Sequence, residues 1–514
     1  MNPAPMSDSN KRRLKILFLL LLPVLGSLFW YVVKVFQFQS NQEEFSDGML
    51  ALQLSRGWLD GRPVLHDNFY GDHAQQHNYY FILFTGLFTK FTGIYGLFLA
   101  YLTLFLVFFW QWFGGFKRFD RSLWTTNWLA VVFFVFGPMA YFIYLDYFGW
   151  HTEHYFLPLM ALLSLSLAKR KYVMAAVWLV LTFLVKETSS ILICSLLLFC
   201  SVVDLVLADA FKPWLSYFIN KRNLLIIAVC LVLFCLSMWW LSHLNGPHPS
   251  RLSTALSRIG QSATPDKLVL YSLLYLGIGA ITLLMGLFPF SIWLKSSPGI
   301  GVLLWTLAGC YSLLFVVYLF ETLYYFPTIY LSVSYPARIG GLWAFLLSSY
   351  IYLSYRFTQA GMVASVHARS RILTGLILQF ILSSFIVSHR FKIDSDSRSL
   401  GIAAADFIKT KLGLNPYTSG IAHELYELAK KLPEGSEVIV PNQYISYFQN
   451  IYPGSWNYDE KTAKLLGRPL LYVYEKNLIG KVSYYKFPRE GYLVIPNDQL
   501  LILADSKWYN QRFK

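Results

Sequence analysis

The sequence predicts a polytopic α-helical membrane protein with a small α/β domain at its C-terminal end. Three observations lead there. Hydrophobic residues make up 56% of the 514 and charged residues only 14%, against about 25% charged in a soluble domain. Apolar runs of about 20 residues, the length that crosses about 30 Å of hydrocarbon, recur through residues 1–388. From residue 389 the composition turns charged and mixed. The net charge of +15 would suggest nucleic acid in a soluble protein. In a membrane protein it encodes orientation instead, so no nucleic-acid partner is expected.

Eleven apolar runs are read as crossings, near residues 14–36, 94–115, 124–143, 154–168, 172–185, 189–208, 223–242, 268–293, 300–320, 337–355 and 371–388. The first follows Lys11, Arg12 and Arg13. It is too long for a signal peptide and no small-residue cleavage site follows it. It is therefore read as an anchor with a cytoplasmic N-terminus. Parity then puts Lys117, Arg118, Arg121, Lys169, Arg170, Lys171, Lys212, Lys221, Arg222, Lys295, Arg356, Arg369 and Arg371 on the cytoplasmic side. The first external loop, 38–75, carries Glu43, Glu44, Asp47, Asp60, Asp67 and Asp72 but only Arg56 and Arg62, as the positive-inside rule requires. Parity holds only if 76–91 lies in the outer interface as an amphipathic helix. Eleven crossings leave 389–514 extracytoplasmic. That tail has helix patterns at 402–412 and 420–431. Strand patterns fall at 437–440 and 492–495, and Leu-Pro-Glu-Gly at 432–435 reads as a helix stop and turn. The five cysteines all fall within apolar runs. They suggest buried small side chains rather than a disulfide or zinc framework.

Polar groups beside a bilayer are costly, so their clusters mark candidate sites. Loop 38–75 and its exit offer Glu43, Glu44, Asp47, Asp72, His73 and His77, and the bland alternative is a solvated acidic loop. The connection 144–154 sets Asp146, His151, Glu153 and His154 beside Tyr147 and Trp150. Two histidines and a carboxylate can bind a metal, whereas an aromatic belt with polar neighbours needs none. Lys186 and Glu187 sit between two apolar runs, as a neutralised ion pair or as an anion contact. Arg251, Arg258, Lys267 and Arg338 are further external cations, and arginine binds phosphate in bidentate fashion. No phosphate-cradling glycine loop, nucleophile elbow or His-Glu-x-x-His motif occurs. A lipid-borne substrate on the outer face is the expectation that remains.

Several of these residues, in order, resemble a family of predicted membrane proteins catalogued as domain of unknown function 2079. That family looks related to C-type (GT-C) membrane glycosyltransferases. Asp47, Gly48, Gln53 and Gly61-Arg62-Pro63 match its opening, and Gly71-Asp72-His73 its Gly-Asp-His. Phe148-Gly149-Trp150-His151-Thr152-Glu153 matches its Phe-Asp-Phe-His-Pro-Glu, and Lys186-Glu187-Thr188 its Lys-Glu-Asp. Leu432 to Val438 resembles an external segment of the family. The similarity covers roughly 40–210. This chain departs from the pattern at Ala74-Gln75-Gln76, Gly149 and Thr188.

The resemblance implies a GT-C-like domain over 1–388 in a bacterial cytoplasmic (inner) membrane. It implies a glycosyltransferase that moves a sugar from a polyprenyl-phosphate-linked donor to a glycan, lipid or protein acceptor on the extracytoplasmic face. Asp47 is then the general base, with Glu44 and Asp72 as companion acids. Gln53, His73, His151, Glu153, Lys186, Glu187 and Arg338 would bind substrate. Asp47, His151 and Glu153 would also serve any divalent ion, Mg or Mn. A transporter or flippase of a lipid-linked or anionic substrate is the alternative. It is disfavoured because the polar clusters lie on one side and no internal repeat is present. A scaffold presenting the tail leaves Asp47, His151 and Glu153 unexplained.

Overall fold

The computed structural model describes residues 21, 23–32, 34, 46–75, 77–113, 121–136, 150–209, 213–245, 265–293, 299–325, 336–362, 420–448, 451–455, 465–479 and 490–513. The described chain is mostly helical, with a small sheet near the C-terminus. An apolar helix, α1 (Pro23–Val32), is followed by the short α2 (Ser46–Arg56) and a two-stranded hairpin of β1 (His66–Asp67) and β2 (Gly71–Asp72). A 3-10 turn (Tyr80–Thr85) leads into α3 (Gly86–Thr92). The helices α4 (Tyr95–Phe113), α5 (Arg121–Phe136), α6 (Phe156–Ala168), α7 (Tyr172–Phe183) and α8 (Ser189–Ala208) come next. They are followed by α9 (Trp214–Phe218), α10 (Lys221–Asn245), α11 (Pro265–Leu287), α12 (Ile300–Tyr325) and α13 (Pro336–Gln359).

The core forms around α6 and α13, which pack more extensively on each other than on any other helix. The sequence of α6, FLPLMALLSLSLA, is apolar all round, the pattern of a helix enclosed on every side. Every residue of it except Leu167 is buried. Pro158 is tolerated because it falls in the first turn, where its missing N–H has no helical acceptor. Small serines let the two helices meet closely. The Ser164 hydroxyl donates to the Ser348 carbonyl at 2.5 Å. Trp343 Nε1 donates to the Phe134 carbonyl at 2.7 Å and the Tyr350 hydroxyl to Asn127 Oδ1 at 2.9 Å, which fastens α5 to the same core.

Four described helices are long and apolar enough to cross a membrane: Tyr95–Phe113, Ser189–Ala208, Lys221–Leu241 and Ile300–Glu321. Further apolar helical stretches lie at Pro23–Val32, Tyr80–Thr92 and Tyr172–Phe183, within α5 at Thr126–Phe136, and from the later part of α11 to Trp293. Of the eleven expected runs, four coincide with full-length spans among the described residues. The runs at 154–168 and 172–185 form helices of 13 and 12 residues, too short to cross unaided. The run at 371–388 lies outside the described residues. Along α10 and α12 the surface is largely apolar and exposed, with Leu225, Val232, Trp239 and Trp305 turned outward. The expected interfacial segment is helical, and Phe84, Leu87 and Phe91 form one exposed apolar stripe at a spacing of three and four.

The C-terminal part contains α14 (Gly420–Lys431) and five strands: β3 (Glu437–Val440), β4 (Tyr452–Ser455), β5 (Leu471–Glu475), β6 (Tyr492–Ile495) and β7 (Leu500–Asp505). A last helix, α15 (Ser506–Phe513), closes the chain's described portion. The sheet order is β4-β3-β5-β7-β6, with β3 parallel to β4 and β5, and β7 antiparallel to β5 and β6. The helix at 420–431 and the strands at 437–440 and 492–495 stand where the sequence predicts them. Gly435, at φ +81°, makes the turn between α14 and β3. The helix expected at 402–412 lies outside the described residues. Strands β4, β5 and β7 were not expected. Pro453 and Gly454 in β4 disfavour a strand, and tertiary pairing with β3 overrides that. All five cysteines are free thiols.

Candidate functional site

One end of the helical bundle gathers the acids, histidines and lysine that the sequence marks. Helix α2 carries Asp47 in its first turn. A 3-10 turn (Thr152–Tyr155) opening α6 carries Glu153 and His154, with His151 just before it. His151 Nε2 lies 3.1 Å from Asp47 Oδ2, the approach of an ion pair. The imidazole is buried, whereas the Asp47 side chain is 37% exposed. Asp47 is thus a carboxylate that touches a buried base on one side and remains open on the other. His154 packs its ring against Trp150 at 4.9 Å and lies edge-on to the His151 ring at 5.8 Å.

Glu153 belongs to a second group. The Lys186 ammonium donates to Glu153 Oε1 at 2.5 Å and also contacts Glu321 Oε1. The Tyr79 hydroxyl donates to the same Glu153 oxygen at 3.3 Å. Lys186 is 1% exposed and Glu153 2%, so the cation is held by two carboxylates in a dry setting, where an uncompensated charge is strongly disfavoured. The sites come from three places in the chain: the start of α6, the turn between α7 and α8, and the end of α12.

Tyr79 joins this group to a third. Its ring stacks with His77 at 4.5 Å and with His73 at 5.4 Å, and the Lys186 ammonium lies 5.9 Å from its centre. Both histidines are backed by buried carboxylates. His77 Nδ1 is 3.0 Å from Glu187 Oε1, and the Asn78 backbone N–H points at Glu187 Oε2 at 3.4 Å. His73 Nδ1 is 3.0 Å from Asp67 Oδ2. The other Asp67 oxygen accepts backbone N–H bonds from Phe69 and Tyr70 at 2.8 and 2.7 Å. A short β1–β2 hairpin makes this possible, because pairing His66 with Asp72 brings the chain back on itself.

The remaining expected residues sit elsewhere. Gln53 is buried and bridges to the C-terminal sheet: its Nε2 donates to the Pro453 carbonyl at 2.7 Å and its Oε1 accepts from the Asn68 N–H at 2.9 Å. Asp72 is exposed and accepts from the Ala74 N–H at 3.1 Å. Glu44 and Asp146 lie outside the described residues, as do Arg251 and Arg258. Arg338 falls on α13, and its side chain also lies outside the description. The expected metal trio divides, with Asp47 and His151 together and Glu153 bound to Lys186. Among the described residues no three His, Cys, Asp or Glu side chains are grouped to hold a metal ion.

Asp67, Tyr79 and Glu321 entered no site expectation. Asp67 reads as one more loop acid and Tyr79 as an interfacial aromatic. Glu321 had one available signal, since it is an acid at the end of an otherwise apolar run. Its partner Lys186 is 135 positions away, a pairing that spacing rules cannot reach.

Around this cluster the C-terminal sheet docks on the loop. Arg62 Nη2 donates to Glu437 Oε1 at 2.7 Å and to Asn68 Oδ1 at 2.5 Å, with its guanidinium 3.9 Å from the Tyr452 ring centre. The Tyr452 hydroxyl donates to Asp60 Oδ2 at 2.5 Å and Arg56 Nε to the same oxygen at 2.9 Å. Partial burial works to raise the Asp60 carboxyl, but the Tyr452 and Arg56 hydrogen bonds, with the Arg56 and Lys90 charges, outweigh it and hold it below its usual value. Burial together with the Asp60 hydrogen bond pushes the Tyr452 phenol upward. At the opposite end of α8, Asp204 accepts from the Tyr352 hydroxyl at 3.0 Å and Arg356 Nε at 3.1 Å, and pairs with Arg222 at 3.3 Å. Comparison with known protein families, curated proteins and solved structures finds no match for this chain.

Proposed function

We propose that the chain is a membrane glycosyltransferase acting at the end of the bundle that carries Asp47, and that this end faces away from the cytoplasm. The observation that carries the reading is the Asp47–His151 contact at 3.1 Å, between a partly open carboxylate and a buried imidazole beside further buried charge. In this reading the donor is a polyprenyl-phosphate-linked sugar and the acceptor a hydroxyl of a glycan, lipid or protein. The Asp47 carboxylate takes the acceptor proton as the hydroxyl oxygen attacks the anomeric carbon, and His151 orients that carboxylate. Glu153, fixed by Lys186 and Tyr79, keeps the turn carrying His151 in place. Any divalent ion in the site would be met from the protein by Asp47 and His151, whose carboxylate and imidazole donors suit one, and would add positive charge beside the donor phosphate.

The reading extends to the whole chain. The eleven apolar runs would be crossings, with the N-terminus cytoplasmic and the C-terminal sheet extracytoplasmic. The Asp204–Arg222–Arg356 group then lies at the cytoplasmic end, where the sequence puts its basic residues. The test is transfer from a labelled polyprenyl-phosphate sugar by purified protein. Asp47→Asn should lower turnover at least a thousandfold with the fold intact. Turnover within threefold of the unaltered protein removes Asp47 from the role.

A further inference from the structure

The proposed reaction leaves a phosphate monoester carrying one more negative charge than the donor, and a dry site must meet that charge with a donor group. Four of the described cations at this end of the bundle already face carboxylates. Lys186 lies between Glu153 and Glu321. Arg62 is held by Glu437, and Arg56 and Lys90 converge on Asp60. His73 differs. Its Nδ1 is fixed by Asp67, whose second oxygen is fixed by two backbone N–H groups. Its Nε2 is buried and has no hydrogen-bond partner among the described residues, and the residue as a whole is 3% exposed. A buried polar atom left open is disfavoured, so an open one beside a candidate site points to a ligand or a water. A carboxylate on one imidazole nitrogen orients the ring so that the other nitrogen addresses the substrate.

We infer that His73 Nε2 is the phosphate contact of this site and that Asp67 is its positioning residue; the inference rests on the proposed glycosyl transfer for its place in a reaction. The acceptor oxygen forms its bond to the anomeric carbon and its proton passes to Asp47. The bond from that carbon to the phosphate oxygen breaks, and its electron pair stays on the oxygen. His73, carrying both ring protons, donates Nε2–H to the phosphate, while Nδ1–H stays on Asp67. Tyr79, stacked on the ring at 5.4 Å, keeps its plane, and the edge of Tyr70 at 6.0 Å limits its tilt. Charge balances, because Asp47 gains the proton as the phosphate gains its second negative charge.

The full-length protein in detergent, titrated with polyprenyl phosphate and followed by tryptophan fluorescence, tests this directly. His73→Gln keeps a hydrogen-bonding group but cannot carry the charge. It should weaken polyprenyl phosphate binding tenfold or more, and Asp67→Asn threefold or more. In transfer assays His73→Gln should lower kcat more than it raises the acceptor KM, a split that a general loosening of the fold does not give. Thermal unfolding of each variant establishes that it is folded, and His73→Asn serves if the Gln variant is not. Competition by inorganic phosphate as strong as by polyprenyl phosphate identifies a site for free phosphate and overturns the assignment to the donor. Competition by phosphatidylglycerol vesicles identifies a general lipid-headgroup site, and that result would overturn the assignment to the donor. Binding by His73→Gln within twofold of the unaltered protein also overturns it and leaves Nε2 to a buried water. If the unaltered protein transfers no sugar yet binds polyprenyl phosphate through His73, the phosphate contact stands and glycosyl transfer falls. If it transfers sugar and His73→Gln does so equally, the reverse holds.

Discussion

Lys186 between Glu153 and Glu321 defines the site at the scale of single residues. Two carboxylates and one ammonium leave one charge in excess, so the partners are not equivalent. Removing the lysine, as in Lys186→Met, leaves two buried carboxylates facing each other and should destabilise by about 3–5 kcal/mol. Glu321→Gln leaves a one-to-one pair and should have the smaller effect. Thermal unfolding in detergent distinguishes them, and equal shifts would show that the three groups do not act as one. The residue scale also shows what spacing can reveal. Asp47, His151 and Glu153 stand out because acids cluster in the loop 38–75 and two histidines with a carboxylate fall in the connection 144–154. Asp67 and Glu321 look ordinary in the sequence, because their importance comes from His73, whose ring the hairpin turns onto Asp67, and from Lys186, which lies far along the chain.

At the scale of elements, α2 is held from both sides. Gly86 at the start of α3 lies so close that an added Cβ would meet the Ser55 carbonyl at 2.3 Å. Gly86→Ala must therefore push α2 away, and thermal unfolding should register about 1–3 kcal/mol. On the other side Gln53 ties α2 to the strand carrying Pro453. Family resemblance assigns Gln53 to substrate, but both ends of its amide are occupied within the protein, which makes it a bridge between helix and sheet. The Asp60–Tyr452 contact gives this docking a pH dependence. The Asp60 carboxyl is depressed in the folded protein, so its contribution is present above the unfolded aspartate value of about 3.9 and is lost as pH falls through the folded value. Limited proteolysis should release the C-terminal part more readily at pH 3 than at pH 6, and Asp60→Asn should flatten that difference. The strands at 437–440 and 492–495 were legible as isolated apolar runs. The Tyr-Pro-Gly-Ser strand was not, because only its partner makes it a strand.

The whole molecule separates two charged layers along its helices. Asp204 is fifteen residues beyond Ser189 on α8, a rise of about 22 Å, so the Asp204 group and the Lys186 group occupy opposite ends. Hydropathy and charge made this division readable in the sequence. The runs at 154–168 and 172–185 already read as short in the sequence, and they form helices of 13 and 12 residues. A single-cysteine variant at Asp72, in a background lacking native cysteines, should react with a membrane-impermeant thiol reagent from outside intact cells, and one at Arg222 only after permeabilisation. The reverse pattern contradicts the proposed orientation. The most direct test of the account remains catalytic. Purified protein given a labelled polyprenyl-phosphate sugar and an acceptor extract should form labelled product, and Asp47→Asn, folded and still binding polyprenyl phosphate, should form at least a thousandfold less. Equal product from both proteins would contradict the central claim.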